Sequence, residues 1–216
     1  MKTELIIFDL DGTLLNTLDD LAESGNFILR TYGFPEHPVN AYRFFVGDGI
    51  RKLIERIIPE NKREDSFIEE VKSEFMKHYE IHKYDKTAPY QGIIELLRTI
   101  QKRKIKIAVA SNKTHEIMEK MMDFYFPGIN FDAVFGQRKK IPPKPDPAIV
   151  VDILHKTGIT KENTLYVGDT SIDMLTAHNA GLKSIGVLWG FRSKEELLQA
   201  GADIIIEKPE ELLGYC

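Results

Sequence analysis

Asp9-Leu10-Asp11-Gly12-Thr13 places two carboxylates two residues apart, directly after the apolar run Leu5-Ile6-Ile7-Phe8. Side chains two apart on an extended chain face the same way, so Asp9 and Asp11 can converge on one point. Gly12 permits a turn that brings main-chain N–H groups close to a ligand. The same pentapeptide also reads as a strand-end turn whose acids only cap backbone groups. A second pair of acids stands in Gly168-Asp169-Thr170-Ser171-Ile172-Asp173, after the run Thr164–Val167. Asp169 falls at the carboxyl end of that run, and Asp173 in the first turn of the helix expected next, where its side chain can lean back. Together with Asp9 these carboxylates would make a hard oxygen cage suited to Mg²⁺. Alone, the pair reads equally well as two helix-start acids favoured by the dipole.

Two further segments offer groups for an anion. Ser111-Asn112 follows a run ending at Ala110 and precedes a helical pattern. A hydroxyl, an amide and free N–H groups at a helix start are what an anion site needs, and also what an ordinary helix cap is made of. Lys144 lies in Pro142-Pro143-Lys144-Pro145-Asp146-Pro147, where four prolines stiffen the loop and remove four backbone donors. The lysine is then either a fixed counter-charge for phosphate or a solvated surface residue, as most lysines are. Asp146 and Pro147 are expected to cap and open the following helix.

These residues need elements to hold them. Short apolar runs at 5–8, 105–110, 133–135, 164–167, 184–187 and 203–206 read as buried strands. Between them lie helical stripes: Ile93, Ile94, Leu96, Leu97 and Ile100; Ile117, Met118, Met121 and Met122; Ile149, Val150, Ile153 and Leu154. Strands alternating with such helices predict βαβ units and an α/β fold with a doubly wound parallel sheet. The four chemical segments then sit at strand ends, the edge where open α/β sheets bind ligands. Residues 16–85 break the rhythm with helical stripes only, around Leu18–Leu29, Ile50–Ile57 and Phe67–Tyr79. They read as an all-helical cap inserted into a core of residues 1–15 and 86–216, with hinges near 14–17 and 84–90.

Composition narrows the functional class. The 216 residues are 43% hydrophobic and 29% charged, as expected of a globular chain. No apolar stretch is long enough to span a bilayer, and the N-terminus lacks the pattern of a secretory signal. The one cysteine, Cys216, excludes an intrachain disulfide, and a cytoplasmic location is expected. A formal charge of −4 argues against a general polyanion binder, so neither nucleic acid nor membrane is expected as a partner. His78 and His82, four apart on a helix, share a face, but no third ligand is evident and they read as surface histidines. Trp189 reads as a hinge or core aromatic.

Asp9-Leu10-Asp11-Gly12-Thr13, Ser111-Asn112, Lys144 and Gly168-Asp169 with Asp173 resemble the four motifs of the haloacid dehalogenase-like hydrolases. Val46-Gly47-Asp48-Gly49, Lys144-Pro145-Asp146-Pro147, Ala180-Gly181 and Gly186-Val187-Leu188-Trp189-Gly190-Phe191 resemble its phosphoglycolate phosphatase-like branch. Asn16 departs from the aspartate of many relatives and lies outside the chemistry. The resemblance implies a phosphomonoesterase, a monomer or homodimer acting on a small phosphorylated metabolite, in which Asp9 is the nucleophile, forming an aspartyl-phosphate, and Asp11 the general acid and base. It implies Mg²⁺ held by Asp9, the Asp11 carbonyl and Asp169, with Asp173 ordering its water shell or joining it. Gly12, Ser111, Asn112 and Lys144 would grip the phosphoryl oxygens. A phosphosugar mutase of the same superfamily is the competing expectation, and a non-catalytic binding module a more distant one. In the cap, Gly47 and Gly49 allow close backbone approach, and Arg51 or Lys52 is expected to meet a substrate carboxylate such as that of phosphoglycolate as the cap closes.

Overall fold

The computed structural model describes residues 2–216. Contacts divide the chain into two compact units, one of Met1–Leu15 with Pro89–Cys216, the other Asn16–Ala88. The first unit carries the sheet. Its strands are β1 (Leu5–Phe8), then, beyond the crossing segments β2 (Leu15–Asn16) and β3 (Ala88–Pro89), β4 (Lys106–Thr114), β5 (Ala133–Gln137), β6 (Thr164–Gly168), β7 (Lys183–Val187) and β8 (Ile204–Ile206). All six long-range strands pair in parallel, in the order β5-β4-β1-β6-β7-β8. Each strand corresponds to one of the six apolar runs in the sequence.

The central strand explains the site's position. Leu5, Ile6, Ile7 and Phe8 are all at most 1% exposed, because β1 is flanked by strands and covered on both faces. Its register sets Phe8 beside Val109 of β4 on one side and Val167 of β6 on the other. The chain leaves β1 for β4 on one side and reaches β6 on the other, so β1 stands at the switch in strand order where a crevice opens. On one face Leu5, Ile7, Ala108, Ala110 and Tyr166 pack with Ile149, Val150 and Ile153 of one helix and Ala177 of another.

The helices of this unit are α5 (Ile93–Lys102), α6 (His115–Tyr125), α7 (Ala148–Thr157), α8 (Ser171–Ala180) and α9 (Lys194–Gln199). They bury the predicted stripes, Met118 and Met121 included. The second unit is helical: α1 (Leu18–Thr31), α2 (Tyr42–Phe45), α3 (Ile50–Ile57) and α4 (Asp65–His82). Here Leu21, Ile28, Leu53, Ile54, Val71, Phe75 and Tyr79 are buried. This unit ends at Ala88 rather than at 85 because Asp20, 1% exposed, ties the returning chain to α1. Its carboxylate accepts from the Lys86 and Thr87 backbone N–H groups and from Thr87 Oγ1.

Candidate active site

Asp9 is the first residue beyond β1, with its N–H still donating to the Val167 carbonyl at 2.9 Å. After it the chain turns tightly: the Leu10 carbonyl accepts from Leu14 and Leu15 N–H, and Gly12 N–H donates to the Leu15 carbonyl. Gly12 has φ +94°, and any side chain there would overlap the Asp169 carboxylate, so the position tolerates only glycine. Trp189 Nε1 donates to the Thr13 carbonyl at 2.9 Å and braces this turn. The aromatic read as core or hinge is thus tied directly to the first motif.

Asp169 continues from β6 and is fully buried. Thr13 Oγ1 donates to its Oδ1 at 3.0 Å, and the Phe191 N–H donates to its Oδ2 at 2.8 Å. A side chain at Gly190 would overlap Asp169, which is why Gly190-Phe191 can bring a backbone donor this close. Asp173, in the first turn of α8, leans back as expected. Its Oδ2 accepts from Thr170 N–H and Oγ1, and its Oδ1 accepts from Lys144 Nζ at 2.7 Å. Carboxylate oxygens of Asp9, Asp169 and Asp173 lie within 4.8 Å of one another, the one such cluster of potential metal ligands among the described residues.

Lys144 is 4% exposed, so it is a fixed internal cation and not a solvated surface residue. Its ammonium donates to Asp9 Oδ1 at 2.8 Å, Asp173 Oδ1 at 2.7 Å, the Ala110 carbonyl at 3.0 Å and Tyr166 Oη at 3.1 Å. Burial works against its charge, but Asp173 and Asp9 outweigh it and hold the ammonium well above its ordinary pKa. Burial raises the Asp9 carboxyl to about 7 despite Lys144, with Asp173 adding to the rise. Asp169 is likewise pushed well up, first by burial and then by Asp173 and Asp9.

The second motif departs from expectation. Ser111 and Asn112 lie within β4, which runs on to Thr114 before α6 begins at His115, so they do not sit at a helix start. The register with β5 shifts between Ala110 and Thr114, which keeps the chain extended past the apolar run. Asn112 uses its amide on the backbone of Lys144: Oδ1 accepts from the Lys144 N–H at 2.8 Å, and Nδ2 donates to the Lys144 carbonyl at 3.1 Å. It fixes the proline loop across 32 residues of sequence. Ser111 is 3% exposed, and its Oγ accepts from the Lys113 N–H. The cap of α7 also shifts by one residue: Pro147 precedes the helix, and Asp146 Oδ1 accepts from Ala148 N–H.

Asp11 receives a partner that sequence reasoning missed. Lys113 Nζ donates to Asp11 Oδ1 at 3.0 Å and Oδ2 at 3.3 Å. The roles of Thr13, Tyr166 and the Phe191 N–H were also missed, since each is defined by a contact distant in sequence, although Thr13 and Phe191 lie in motifs the sequence offered. Lysine directly after Ser111-Asn112 in a buried run was the one available signal for Lys113.

In the helical unit, Gly47 and Gly49 adopt φ of 114° and 84°, and Gly49 precedes α3. Arg51 is bound to Glu55, Asp65 and Glu69 at 3.2, 2.5 and 2.6 Å, and Lys52 to Glu55 at 2.6 Å. These cations pair with carboxylates of their own unit at its exposed surface. His78 and His82 stack at 4.3 Å, and their Nδ1 atoms meet Ser24 and Asp85.

Residues 6–187 match the family model described as haloacid dehalogenase-like hydrolase. The chain is 31% identical over 209 residues to the phosphoglycolate phosphatase of Aquifex aeolicus, covering 97% of this chain and 94% of that one. It is 28% identical to the phosphoglycolate phosphatase of Pseudomonas putida, over 98% of this chain and 79% of that one. Among solved structures, a Lactobacillus delbrueckii subsp. bulgaricus protein provisionally named a phosphoglycolate phosphatase superposes with a TM-score of 0.93 at 30% identity. The superposition covers 98% of this chain and 97% of that one.

Proposed function

Because the chain belongs to the haloacid dehalogenase-like hydrolases, we propose that it is a Mg²⁺-dependent phosphatase of small phosphomonoesters, acting through an aspartyl-phosphate on Asp9. The observation that carries this reading is the buried Lys144 ammonium shared between Asp9 and Asp173 beside a third carboxylate, Asp169.

The donor set fits a hard divalent cation. Its side-chain donors are carboxylate oxygens, without the sulfur or imidazole that softer metals prefer. Three carboxylates against the single Lys144 ammonium leave two negative charges uncompensated, matching one divalent ion. Burial chiefly raises the Asp9 and Asp169 carboxyls, and the neighbouring carboxylates add to the rise. Asp9, the Asp11 carbonyl and Asp169 would hold the ion. Asp173 supports them from behind, its oxygens being engaged by Thr170 and Lys144. When bound, the ion supplies charge screening that lets an anionic carboxylate meet an anionic phosphoryl group.

The chain's own groups perform the rest. Thr13 and the Phe191 N–H hold Asp169 in place. Lys144 orients Asp9 and offers a fixed positive charge to phosphoryl oxygens, on a loop held by Asn112. Ser111 Oγ, within β4, would donate to the same group. Asp9 attacks phosphorus, and the ester oxygen leaves with a proton from Asp11. Asp11 then takes a proton from water as the water attacks the aspartyl-phosphate, releasing inorganic phosphate.

The substrate assignment rests on the relatives' names and points to 2-phosphoglycolate or a similar small ester. Phosphate release from 2-phosphoglycolate tests the reading. It should require Mg²⁺, stop with EDTA, and fall at least 10³-fold in Asp9→Asn. Turnover in EDTA, or in a clean Asp9→Asn preparation, would refute it.

A further inference from the structure

Tyr166 stands on β6, fully buried, and its ring packs among Leu5, Ile7, Ala110 and Ile153. Only the hydroxyl reaches out of that apolar setting. It accepts from Lys144 Nζ at 3.1 Å and lies 3.3 Å from Asp173 Oδ1 and 3.5 Å from the Ala110 carbonyl, the two groups to which it can donate. A buried tyrosine hydroxyl needs such partners, because an unpaired one costs its full desolvation. Phenylalanine would fill the same space without that requirement, so packing alone does not account for a hydroxyl here.

The proton count at Lys144 shows what that hydroxyl adds. An ammonium has three N–H donors. Four acceptors stand around this one: Asp173 Oδ1 at 2.7 Å, Asp9 Oδ1 at 2.8 Å, the Ala110 carbonyl at 3.0 Å and Tyr166 Oη at 3.1 Å. Carboxylates and carbonyls only accept, so Tyr166 alone among the four both accepts and donates. Asp9 is the one partner that the reaction consumes. Once it bears a phosphoryl group its negative charge is gone, and the N–H that it held is released to a phosphoryl oxygen. Asp173, Ala110 and Tyr166 then hold the ammonium by themselves. The hydroxyl closes this set, taking a proton contact from Lys144 and giving its own to Asp173 Oδ1, so that cation and carboxylate keep one separation. Bonds of this charge-assisted kind are the strong ones in a buried site.

We propose that Tyr166 is a positioning residue for phosphoryl transfer, its hydroxyl fixing the Lys144 ammonium against Asp173 while the donor that meets Asp9 turns to the phosphoryl group. This rests on the phosphatase reading above. Being fully buried, Tyr166 acts through the lysine and not on the substrate. The test is Tyr166→Phe, which keeps the ring and removes the hydroxyl. It is assayed with 2-phosphoglycolate and with p-nitrophenyl phosphate at saturating Mg²⁺, alone and combined with Lys144→Met or Lys144→Gln, after circular dichroism has shown each variant folded. Alone, it should lower kcat about 5–50-fold, between the loss of a neutral and of a charge-assisted hydrogen bond. KM should stay within about threefold, because the contact matters most once Asp9 has given up its charge. In either Lys144 background the same substitution should change kcat by less than about twofold, since no ammonium is left to hold. Equal fold losses with and without Lys144 would assign Tyr166 to packing of the sheet and overturn the proposal. So would an unchanged kcat in Tyr166→Phe, or a loss carried by KM alone. Each of these outcomes leaves the phosphatase reading standing, whereas an unmodified chain that releases phosphate from neither ester would overturn both.

Discussion

Lys144→Met removes the cation on which the site's electrostatics depend. The ammonium contacts two buried carboxylates at 2.8 and 2.7 Å, and both its side chain and that of Asp173 are at most 2% exposed. Methionine fills similar volume but leaves Asp9 and Asp173 without their counter-charge. Removing one partner of a buried pair costs about 3–5 kcal/mol, because the remaining charge is neither solvated nor paired. For a chain of this size each kcal/mol shifts Tm by roughly 2–4 °C, so the metal-free variant should melt about 6–20 °C below the unmodified chain. Adding Asp173→Asn removes one of the stranded charges and should restore part of the loss, with a coupling of about 0.5–3 kcal/mol. Differential scanning calorimetry in EDTA at pH 7.5 reads all of these directly. Phosphatase kcat/KM should fall at least ~10²-fold, the usual cost of one preorganised donor to a transferring group. A Tm within about 2 °C of the unmodified chain, or additive effects in the double variant, would show that the pair carries no such energy.

Other perturbations give separate outcomes. The Asp9 carboxyl is raised to about 7 against 3.8 in a free carboxyl, so the folded metal-free chain holds a proton there that the unfolded chain has lost. Stability in EDTA should therefore decline as pH rises through about 4 to 7, more steeply than in Asp9→Asn, and saturating Mg²⁺ at pH 7.5 should restore it. At about 100 times Kd the gain is roughly 2.7 kcal/mol, a Tm rise of ~5–11 °C that Asp169→Asn should abolish; a flat Mg²⁺ response would contradict the cation site. Asn112→Ala cuts both amide bonds to the Lys144 backbone and should cost about 2–4 kcal/mol by chemical denaturation. It should also lower kcat/KM about 10–100-fold as Lys144 loses its fixed position, and unchanged kinetics would assign Asn112 another role.

The sheet was legible because buried strands are short runs rich in apolar residues, continuous in Leu5–Phe8 and broken only by single polar residues such as Lys106, Thr164 and Ser184 elsewhere. Helical stripes at 93–100, 117–122 and 149–154 were legible for the same reason, their spacing matching one helix face. The carboxylates of Asp9, Asp169 and Asp173 could be foreseen to converge once a parallel sheet placed them at one edge. Position along β4 could not be read as well. Ser111 and Asn112 are polar residues after an apolar run and look like a strand-to-helix turn, yet the chain stays extended to Thr114 across an irregular register. Bonds distant in sequence were also hidden: Asn112 to Lys144, Lys113 to Asp11, Trp189 to Thr13 and Phe191 to Asp169. The ion pairs of Arg51 were hidden as well, because two of its three acids, Asp65 and Glu69, arrive from the next long helix. The limit of the helical unit moved to Ala88 because Asp20 captures Lys86 and Thr87 by hydrogen bonds that no local pattern announces.

The nucleophilic role of Asp9 is tested most directly by trapping. An acyl phosphate is reduced by borohydride to the alcohol, so acid-quenched enzyme taken during turnover of 2-phosphoglycolate can be reduced, digested and mapped by mass spectrometry. The peptide containing Leu5–Thr13 should lose the mass difference between aspartate and homoserine at position 9, in a substrate-dependent fraction of molecules, and only when Mg²⁺ is present. Reduction at another carboxylate, or none at position 9 while phosphate is being released at full rate and phosphoenzyme breakdown is shown to be rate-limiting, would contradict it.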